Sequence, residues 1–329
     1  MLHRNTARRG ARAFLTCTLI VAANGSAWSA DFPTRPIRMI VAFAPGGGTD
    51  IIGRIAARGI SENLGTQVVV DNRPGAGGNI GTDIVAKAAP DGYTLVTAGT
   101  GTHAINPWLY ANIPYDAVND FAPVSLVAAT PYLMVVNPSV PAQTVKEFIA
   151  LAKSGAGSIT MASSGSGGMP HLSGELFNMM TGVRMTHVPY KGTGAVFPDL
   201  IGGRVQVTFG DIVATIPHVK GGRLRALGVT SPRRVPTLPD VPTIAESGVP
   251  GYDAVGWFGV FAPGKTPAPV ITRLNAAIVK HVKQTDTAER LAALGAEVVA
   301  STPEQFRAIQ KADLARWGKV VKQSGARVE

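Results

Sequence analysis

The turn at residues 44–50, Ala-Pro-Gly-Gly-Gly-Thr-Asp, carries the clearest chemical signal in the sequence. It follows a strand-like apolar run, Ile37–Phe43, and precedes a helix-like run, Ile51–Leu64. A glycine-rich turn that leads into a helix presents free backbone N–H groups and the positive end of the helix dipole. Such a turn holds a small anion without any lysine or arginine. The sequence therefore predicts an anion-binding turn here.

A second turn, Ser163–Gly168, has the same design. The strand-like run Ser158–Ala162 precedes it, and a helix-like run with Leu172 and Leu176 on one face follows. Its serine hydroxyls add donors that can rotate to suit a ligand. If the two turns lie on opposite domains, a molecule with a carboxylate fits between them; the alternative is that both are tight connectors. Bulky residues at Gly47 or Gly165 are then expected to abolish binding but not folding.

Other candidate sites are weaker. Residues 99–104 have the form GxGxxA after a strand, which occurs in dinucleotide sites, but Pro107 and Pro114 interrupt the unit that such a site needs. We predict no cofactor and no phosphate-binding loop. The histidines are scattered and no HExxH or GxSxG motif occurs, so we predict neither a metal site nor an enzyme. A triad of Ser166, His171 and Asp211, assembled in space, is an alternative that stays open.

The N-terminal 30 residues resemble a secretory signal peptide. Four arginines precede an apolar stretch at residues 13–23, and small residues surround a cleavage point near Ser29 or Ala30. We therefore predict a periplasmic protein. The single cysteine, Cys17, lies in this segment, so the mature chain has no disulfide or thiolate site. Without the signal, 27 basic side chains stand against 21 acidic ones, and their scatter argues against nucleic-acid binding.

Strand-like and helix-like runs alternate along the chain, which predicts an α/β protein. The short, continuous apolar runs favour a largely parallel sheet. We predict strands at 37–43, 67–70, 94–98, 125–127, 133–136, 158–162, 184–188, 205–209 and 224–229. The segments 128–138 and 239–262 read as passages between two domains. They predict a first domain of residues 31–130 plus 255–329, a second of 131–254, and a ligand cleft between them.

Two helix starts have the sequence of a capping box, in which a hydroxyl and a side chain three residues later satisfy free N–H groups. They begin at Thr144 and at Thr302, and Pro303 adds the ring that suits a first helical position. Gly325 is placed to end the final helix.

Six motifs occur along the chain in one order: Phe32–Pro36, Pro45–Asp50, Asp71–Asn79, Pro90–Leu95, Val188–Gly192 and Leu238–Thr243. In these motifs the sequence resembles the Bug-type periplasmic solute receptors of the tripartite tricarboxylate transporter family, over essentially the whole mature chain. The resemblance implies a type II periplasmic-binding-protein ("Venus flytrap") fold, with two α/β domains and a central cleft. It also implies a monomer that binds a small carboxylate (a dicarboxylate, aromatic acid or amino acid) and delivers it to a membrane permease.

The resemblance also implies a set of ligand contacts, made by backbone amides, hydroxyls and ordered waters rather than charged side chains. On the matching positions these are Ala44, Pro45, Gly47, Thr49, Asp50, Thr100, Gly101, Thr102, Ser164, Gly165, Ser166, Thr193, Gly194 and Asp211. Many relatives place the aspartate directly after the strand, whereas Gly210 intervenes here. This difference leaves the role of Asp211 open and is compatible with a ligand that has a different end-group. Two other functions stay open: a ligand-sensing partner of a membrane kinase, and a periplasmic enzyme.

Overall fold

The computed structural model describes residues 32–155 and 159–328, so the predicted signal peptide lies outside the described residues. Its strands form one mixed sheet in the order β2-β1-β3-β9-β4-β7-β5-β6, and β8 and β10 also pair with β4. The strands are β1 (Ile37–Val41), β2 (Val68–Asn72), β3 (Thr94–Gly99), β4 (Phe121–Val136), β5 (Thr160–Ser163), β6 (Thr186–Pro189), β7 (Val207–Asp211), β8 (Arg225–Val229), β9 (Val255–Pro263) and β10 (Glu297–Val298).

Helices fill most of the connections between strands. They are α1 (Gly48–Leu64), α2 (Asn79–Ala86), α3 (Asn106–Leu109), α4 (Val145–Lys153), α5 (Met169–Thr181), α6 (Thr193–Ile201), α7 (Ile212–Lys220), α8 (Ala268–Val282), α9 (Thr285–Ala293) and α10 (Pro303–Ser324). Helix α1 buries one face through Ile52, Ala56 and Ile60, as its periodicity predicts. Within the described ranges, no helix has the length and apolar character needed to cross a bilayer.

The long strand β4 joins two halves of the sheet. Its residues 121–131 pair with β9, whereas Tyr132 to Val136 pair with β7 and β8. We call the half that contains β1–β3 the first lobe and the half that contains β5–β7 the second lobe. β9 runs back into the first lobe beside β4 and β3. The predicted division at residues 130/131 and 254/255 stays a prediction, and the pairing of β4 changes one residue after the first of these points, between Pro131 and Tyr132.

Two expectations about the sheet were wrong, and one long strand was missed. The sheet is mixed rather than largely parallel, because β4 and β9 run antiparallel to their neighbours. The two strands expected around residues 125–136 are one strand, which continues through Pro131; a proline is tolerated there because the pairing partner changes at that point. No strand was predicted in the passage 239–262, which contains most of β9. Its small and aromatic residues, such as Gly259 against the Phe306 ring, hid the strand pattern.

Residues 259–266 also match the spacing GxxxxGKT of a phosphate-binding loop, which the prediction of no such loop overlooked. Gly259 lies inside β9, and the intervening residues pair with β4, so they form no open loop. Beyond the strand, the Gly264 N–H donates to the Asp120 carbonyl, and the Thr266 hydroxyl donates to the Pro263 carbonyl. The turn is thus closed by its own hydrogen bonds.

Candidate ligand-binding site

A small cavity lies between the two lobes, and both predicted turns contribute to it. Its volume is about 40 Å³, which is room for about three water molecules. We call it the interlobe cavity. It is lined by Phe43, Gly47, Gly48, Thr49, Gly99, Thr100, Gly101, Tyr132, Ser164, Gly168, Met169, Pro170, Thr193, Asp211 and Phe258. The structure thus brings together seven of the predicted contacts: Gly47, Thr49, Thr100, Gly101, Ser164, Thr193 and Asp211.

Four helices begin at this cavity. Helix α1 starts after Gly47 in the first lobe, while α5 and α6 start after Gly168 and Gly192 in the second, and none of these three has a side-chain cap. Helix α7 starts after Asp211, whose carboxylate accepts from the Ala214 N–H at 3.1 Å. These three starts present positive dipole ends and first-turn N–H groups to an anion, although the Gly48 N–H already donates to the Asp211 carboxyl. The positive helix ends of both lobes therefore attract a negatively charged group into the cavity.

Asp211 is the one charged side chain among the described residues that line the cavity. It is buried, and burial raises the pKa of its carboxyl above the usual value. Hydrogen bonds from the Thr193 side chain and from the backbone N–H groups of Ala214 and Gly48 oppose that rise only in part. Since Gly48 starts the first-lobe helix α1, this carboxyl reaches across the cavity. A neutral Asp211 has a proton to donate to a ligand carboxylate.

The rest of the lining combines the hydroxyl side chains of Thr49, Thr100, Ser164 and Thr193 with a wall of larger, mostly apolar side chains. The Thr100 hydroxyl oxygen accepts from the Trp257 N–H at 2.9 Å, which leaves the hydroxyl proton free to donate. Sequence reasoning missed the wall, which is formed by Phe43, Tyr132, Met169 and Phe258. The one usable signal was that Tyr132 and Phe258 occur in the two segments expected to pass between the domains.

Five predicted contacts lie on the seam where the lobes meet rather than in the cavity lining. The Ala44 N–H donates to the Lys191 carbonyl at 3.2 Å, and a Cβ built on Gly194 would lie 2.8 Å from the Pro45 carbonyl oxygen. Gly165 and Ser166 lie on the same seam: a Cβ on Gly165 would lie 3.4 Å from the Gly77 Cα, and the Ser166 carbonyl accepts from the Tyr110 hydroxyl at 2.9 Å. These contacts hold the lobes together.

Asp50 and Thr102 bond within the first lobe. The Asp50 carboxylate accepts from the Gly46 N–H at 3.1 Å, from Arg54 and from Asn72. Burial opposes ionisation of Asp50, but these hydrogen bonds hold its pKa below the usual value. The Thr102 hydroxyl bonds the Gly99 carbonyl at 3.3 Å and the His103 ring at 2.9 Å. Both side chains shape the turns that line the cavity.

Two stacked histidines support the second-lobe turn from behind. The rings of His171 and His187 lie 3.9 Å apart at 14°. His171 Nδ1 accepts from the Gly167 N–H at 3.2 Å, and His187 Nε2 bonds the fully buried Ser163 hydroxyl at 2.6 Å. Burial and the neighbouring His187 lower the pKa of His171 to about 3, and burial lowers the pKa of His187 to about 4. His171 therefore hydrogen-bonds Gly167. Among the described residues, no hydrogen bonds join Ser166, His171 and Asp211 into a triad.

These lowered pKa values predict acid-sensitive folding. The unfolded chain takes up protons near pH 6.5 and the folded chain only near pH 3–4. We therefore expect the free energy of unfolding to be highest above pH 6.5 and to fall between pH 6.5 and 4, by about 1.4 kcal/mol per pH unit for each excess proton. Urea unfolding from pH 7.5 to 4 measures this. His171→Asn should have a shallower slope, and equal slopes in the two proteins would contradict the assignment.

The described residues contain no cluster of three or more histidine, cysteine, aspartate or glutamate side chains able to hold a metal ion. No lysine or arginine of the described chain lines the interlobe cavity. An anion held there is therefore stabilised by backbone dipoles and hydroxyl groups, and by Asp211 when its carboxyl is protonated.

Comparison with known proteins agrees with this geometry. Residues 52–326 match the family model described as the tripartite tricarboxylate transporter family receptor. BugT of Bordetella pertussis is 41% identical over 303 residues, which are 92% of this chain and 93% of that protein. A solved R. palustris protein with adipate is 39% identical, with a TM-score of 0.88 over 91% of this chain and all of its own. MatC from Rhodopseudomonas palustris with bound malate is 34% identical, with a TM-score of 0.85 over 88% of this chain and all of its own.

Proposed function

The chain belongs to the receptor family of the tripartite tricarboxylate transporters, and from this premise we propose that it captures a small carboxylate in the interlobe cavity. The family and the fold are those of periplasmic solute-binding receptors. The observation that carries the proposal is the convergence of helix starts from both lobes on one cavity that no lysine or arginine of the described residues lines. Such a site selects for negative charge by backbone dipoles.

The interlobe cavity, at about 40 Å³, is smaller than a molecule of adipate or malate, so the lobes move apart to admit the ligand and then close around it. The seam contact between Ala44 and Lys191, at 3.2 Å, joins the lobes beside the cavity. A ligand that bonds helix starts on both lobes stabilises the closed state by the difference in its affinity for the closed and open states. The closed receptor then delivers the carboxylate to the membrane permease of the transporter. The adipate and malate found in the two similar structures make these acids the first ligands to test.

A thermal-shift screen with adipate, malate and benzoate tests the proposal. A ligand that binds only the folded chain raises the free energy of unfolding by about 2.7 kcal/mol at a hundred times its Kd. We expect at least one carboxylate to raise the melting temperature at millimolar concentration. The matched control is the neutral diamide of the same acid, adipamide for adipate, which should give no shift. Equal shifts by acid and amide, or none by any carboxylate, would refute carboxylate capture.

A further inference from the structure

A second, larger cavity lies where the chain passes between the lobes. Its volume is about 720 Å³, within the range of small-molecule sites. We call it the rear cavity. Its lining is mostly apolar and comes from three places. These are the segment 231–237, the end of α9 together with β10, and the two strands that join the lobes, β4 and β9. The residues are Ala129, Pro131, Ser231, Pro232, Arg233, Arg234, Val235, Pro236, Thr237, Val255, Ala292, Ala293, Gly295, Ala296 and Glu297.

The polar groups of the rear cavity favour a ligand with one negative end. Within the described chain, no carboxylate lies within ion-pair distance of Arg233, whereas Arg234 is bonded to Glu246 at 2.9 Å. The Thr237 hydroxyl is buried and has no hydrogen-bond partner among the described residues. Among the described residues of the lining, Glu297 is the one acidic side chain, and Arg233 is the guanidinium that no ion pair occupies. A guanidinium beside proline, valine and alanine surfaces suits an anion with an apolar chain.

The rear cavity also adjoins the hydrogen bonds that join the lobes. Thr230 holds both joining strands: its hydroxyl accepts from the Tyr132 N–H at 2.7 Å and donates to the Ala254 carbonyl at 2.6 Å. The Ala254 N–H donates in turn to the Thr230 carbonyl at 2.9 Å. The chain neighbours of these three residues all line the rear cavity, namely Pro131, Ser231 and Val255. Tyr132 itself lines the interlobe cavity.

We propose that the rear cavity is a second binding site, for a medium-chain aliphatic carboxylate whose head group lies at Arg233 and whose chain lies against residues 292–296. The site is separate from the interlobe cavity, and it shares no lining residue with it. A molecule bound there contacts both lobes next to their joining strands. Its occupancy is therefore sensitive to how the lobes are arranged.

Titration calorimetry with sodium decanoate tests the site on the full mature chain. Ala293 is exposed at the end of α9, so Ala293→Trp fills the cavity without disturbing the core. We expect decanoate to bind the wild-type chain and its affinity to fall at least tenfold in Ala293→Trp. Ala276→Trp is the matched control, because Ala276 is an exposed position of α8 outside the cavity and should leave the affinity unchanged.

A second pair of variants tests the head group. Arg233→Gln keeps the length of the side chain and removes its charge, and we expect it to weaken decanoate binding about tenfold while decanol binding stays unchanged. Arg184→Gln, at an exposed position outside the cavity, removes the same charge and should change neither. Wild-type affinity in both Ala293→Trp and Arg233→Gln would overturn the proposal. So would the absence of decanoate binding to the wild-type chain.

One consequence rests on the proposed function: decanoate and the interlobe ligand should change each other's affinity by the same factor, because coupling between sites is reciprocal. The proposed function and the rear-cavity site can be refuted independently of each other. Decanoate binding is measured with no interlobe ligand present, and the carboxylate screen is measured with no decanoate present.

Discussion

Replacing Gly48 with alanine is expected to weaken carboxylate binding between tenfold and a hundredfold. A Cβ at this position would lie 2.7 Å from Asp211 Oδ1 and 2.9 Å from the Phe258 ring, inside the interlobe cavity. Overpacking of this kind costs about 1–3 kcal/mol, and each 1.4 kcal/mol is about tenfold in affinity. The contact with Asp211 arises only when the lobes are together, because the aspartate belongs to the other lobe, whereas Phe258 lies on β9 in the same lobe as Gly48. Titration with the carboxylate found in the thermal-shift screen measures the effect.

The neighbouring glycine provides the control. Gly47 has an extended backbone (φ −87°, ψ 170°) that any residue adopts. Its Cβ would lie 3.7 Å from the Thr193 side chain, an ordinary contact distance. Gly47→Ala should therefore keep both the affinity and the melting temperature of the unliganded chain near the wild-type values. Equal affinity in Gly48→Ala and the wild-type chain would show that the ligand does not bind between these residues.

Carboxylate binding is expected to weaken as the pH rises, through Asp211. Burial already raises the pKa of this carboxyl in the unliganded chain, and a bound anion beside it raises that pKa further. Binding therefore takes up a proton when Asp211 starts ionised. The affinity should fall by up to about tenfold for each pH unit above the pKa of the free chain. Calorimetric titrations between pH 4.5 and 8 measure the slope.

The variant Asp211→Asn distinguishes an Asp211 that donates a proton to the ligand from an ionised Asp211 that pairs with a cationic group of the ligand. Asparagine also accepts from the Ala214 N–H as a helix cap, so the fold should persist while the pH dependence of binding disappears. Asp50→Asn is the matched control, since hydrogen bonds hold the pKa of Asp50 low and its carboxylate bonds within the first lobe. If Asp211→Asn abolished binding, the carboxylate would instead be pairing with a cationic group of the ligand, as an amino acid would provide.

Local sequence rules predicted the parts of the fold whose causes are local. Thr302 begins α10 with a complete capping box, in which its hydroxyl accepts from the Gln305 N–H and the Gln305 side chain accepts from the Thr302 N–H. Gly325 ends the same helix in the left-handed conformation, at φ 69°. The apolar face of α1 and most of the strands were likewise evident from periodicity. Each of these features depends on residues within about one helical turn or one strand.

Long-range partners decided the parts that sequence reasoning missed. β9 contains glycines against which side chains from other segments pack closely. Gly256 lies against the Tyr132 ring, and Gly259 lies against the Phe306 ring. Glycine disfavours a strand when only the neighbouring residues are considered. In β9, however, it makes room for an aromatic ring from a distant segment. Likewise, β4 continues through Pro131 because its first part pairs with β9 and its second with β7 and β8.

The sequence by itself determined that glycine-rich turns on two separate segments lead into helices with free N–H groups, because that depends only on residue types and their order. The tertiary structure decided which of those residues share a cavity. Gly47, Thr100, Ser164 and Asp211 line it, whereas Ala44 forms the seam and Asp50 bonds within its own lobe. The physical reason is that a backbone donor can be placed by local geometry, but the group it faces is fixed by how two lobes pack.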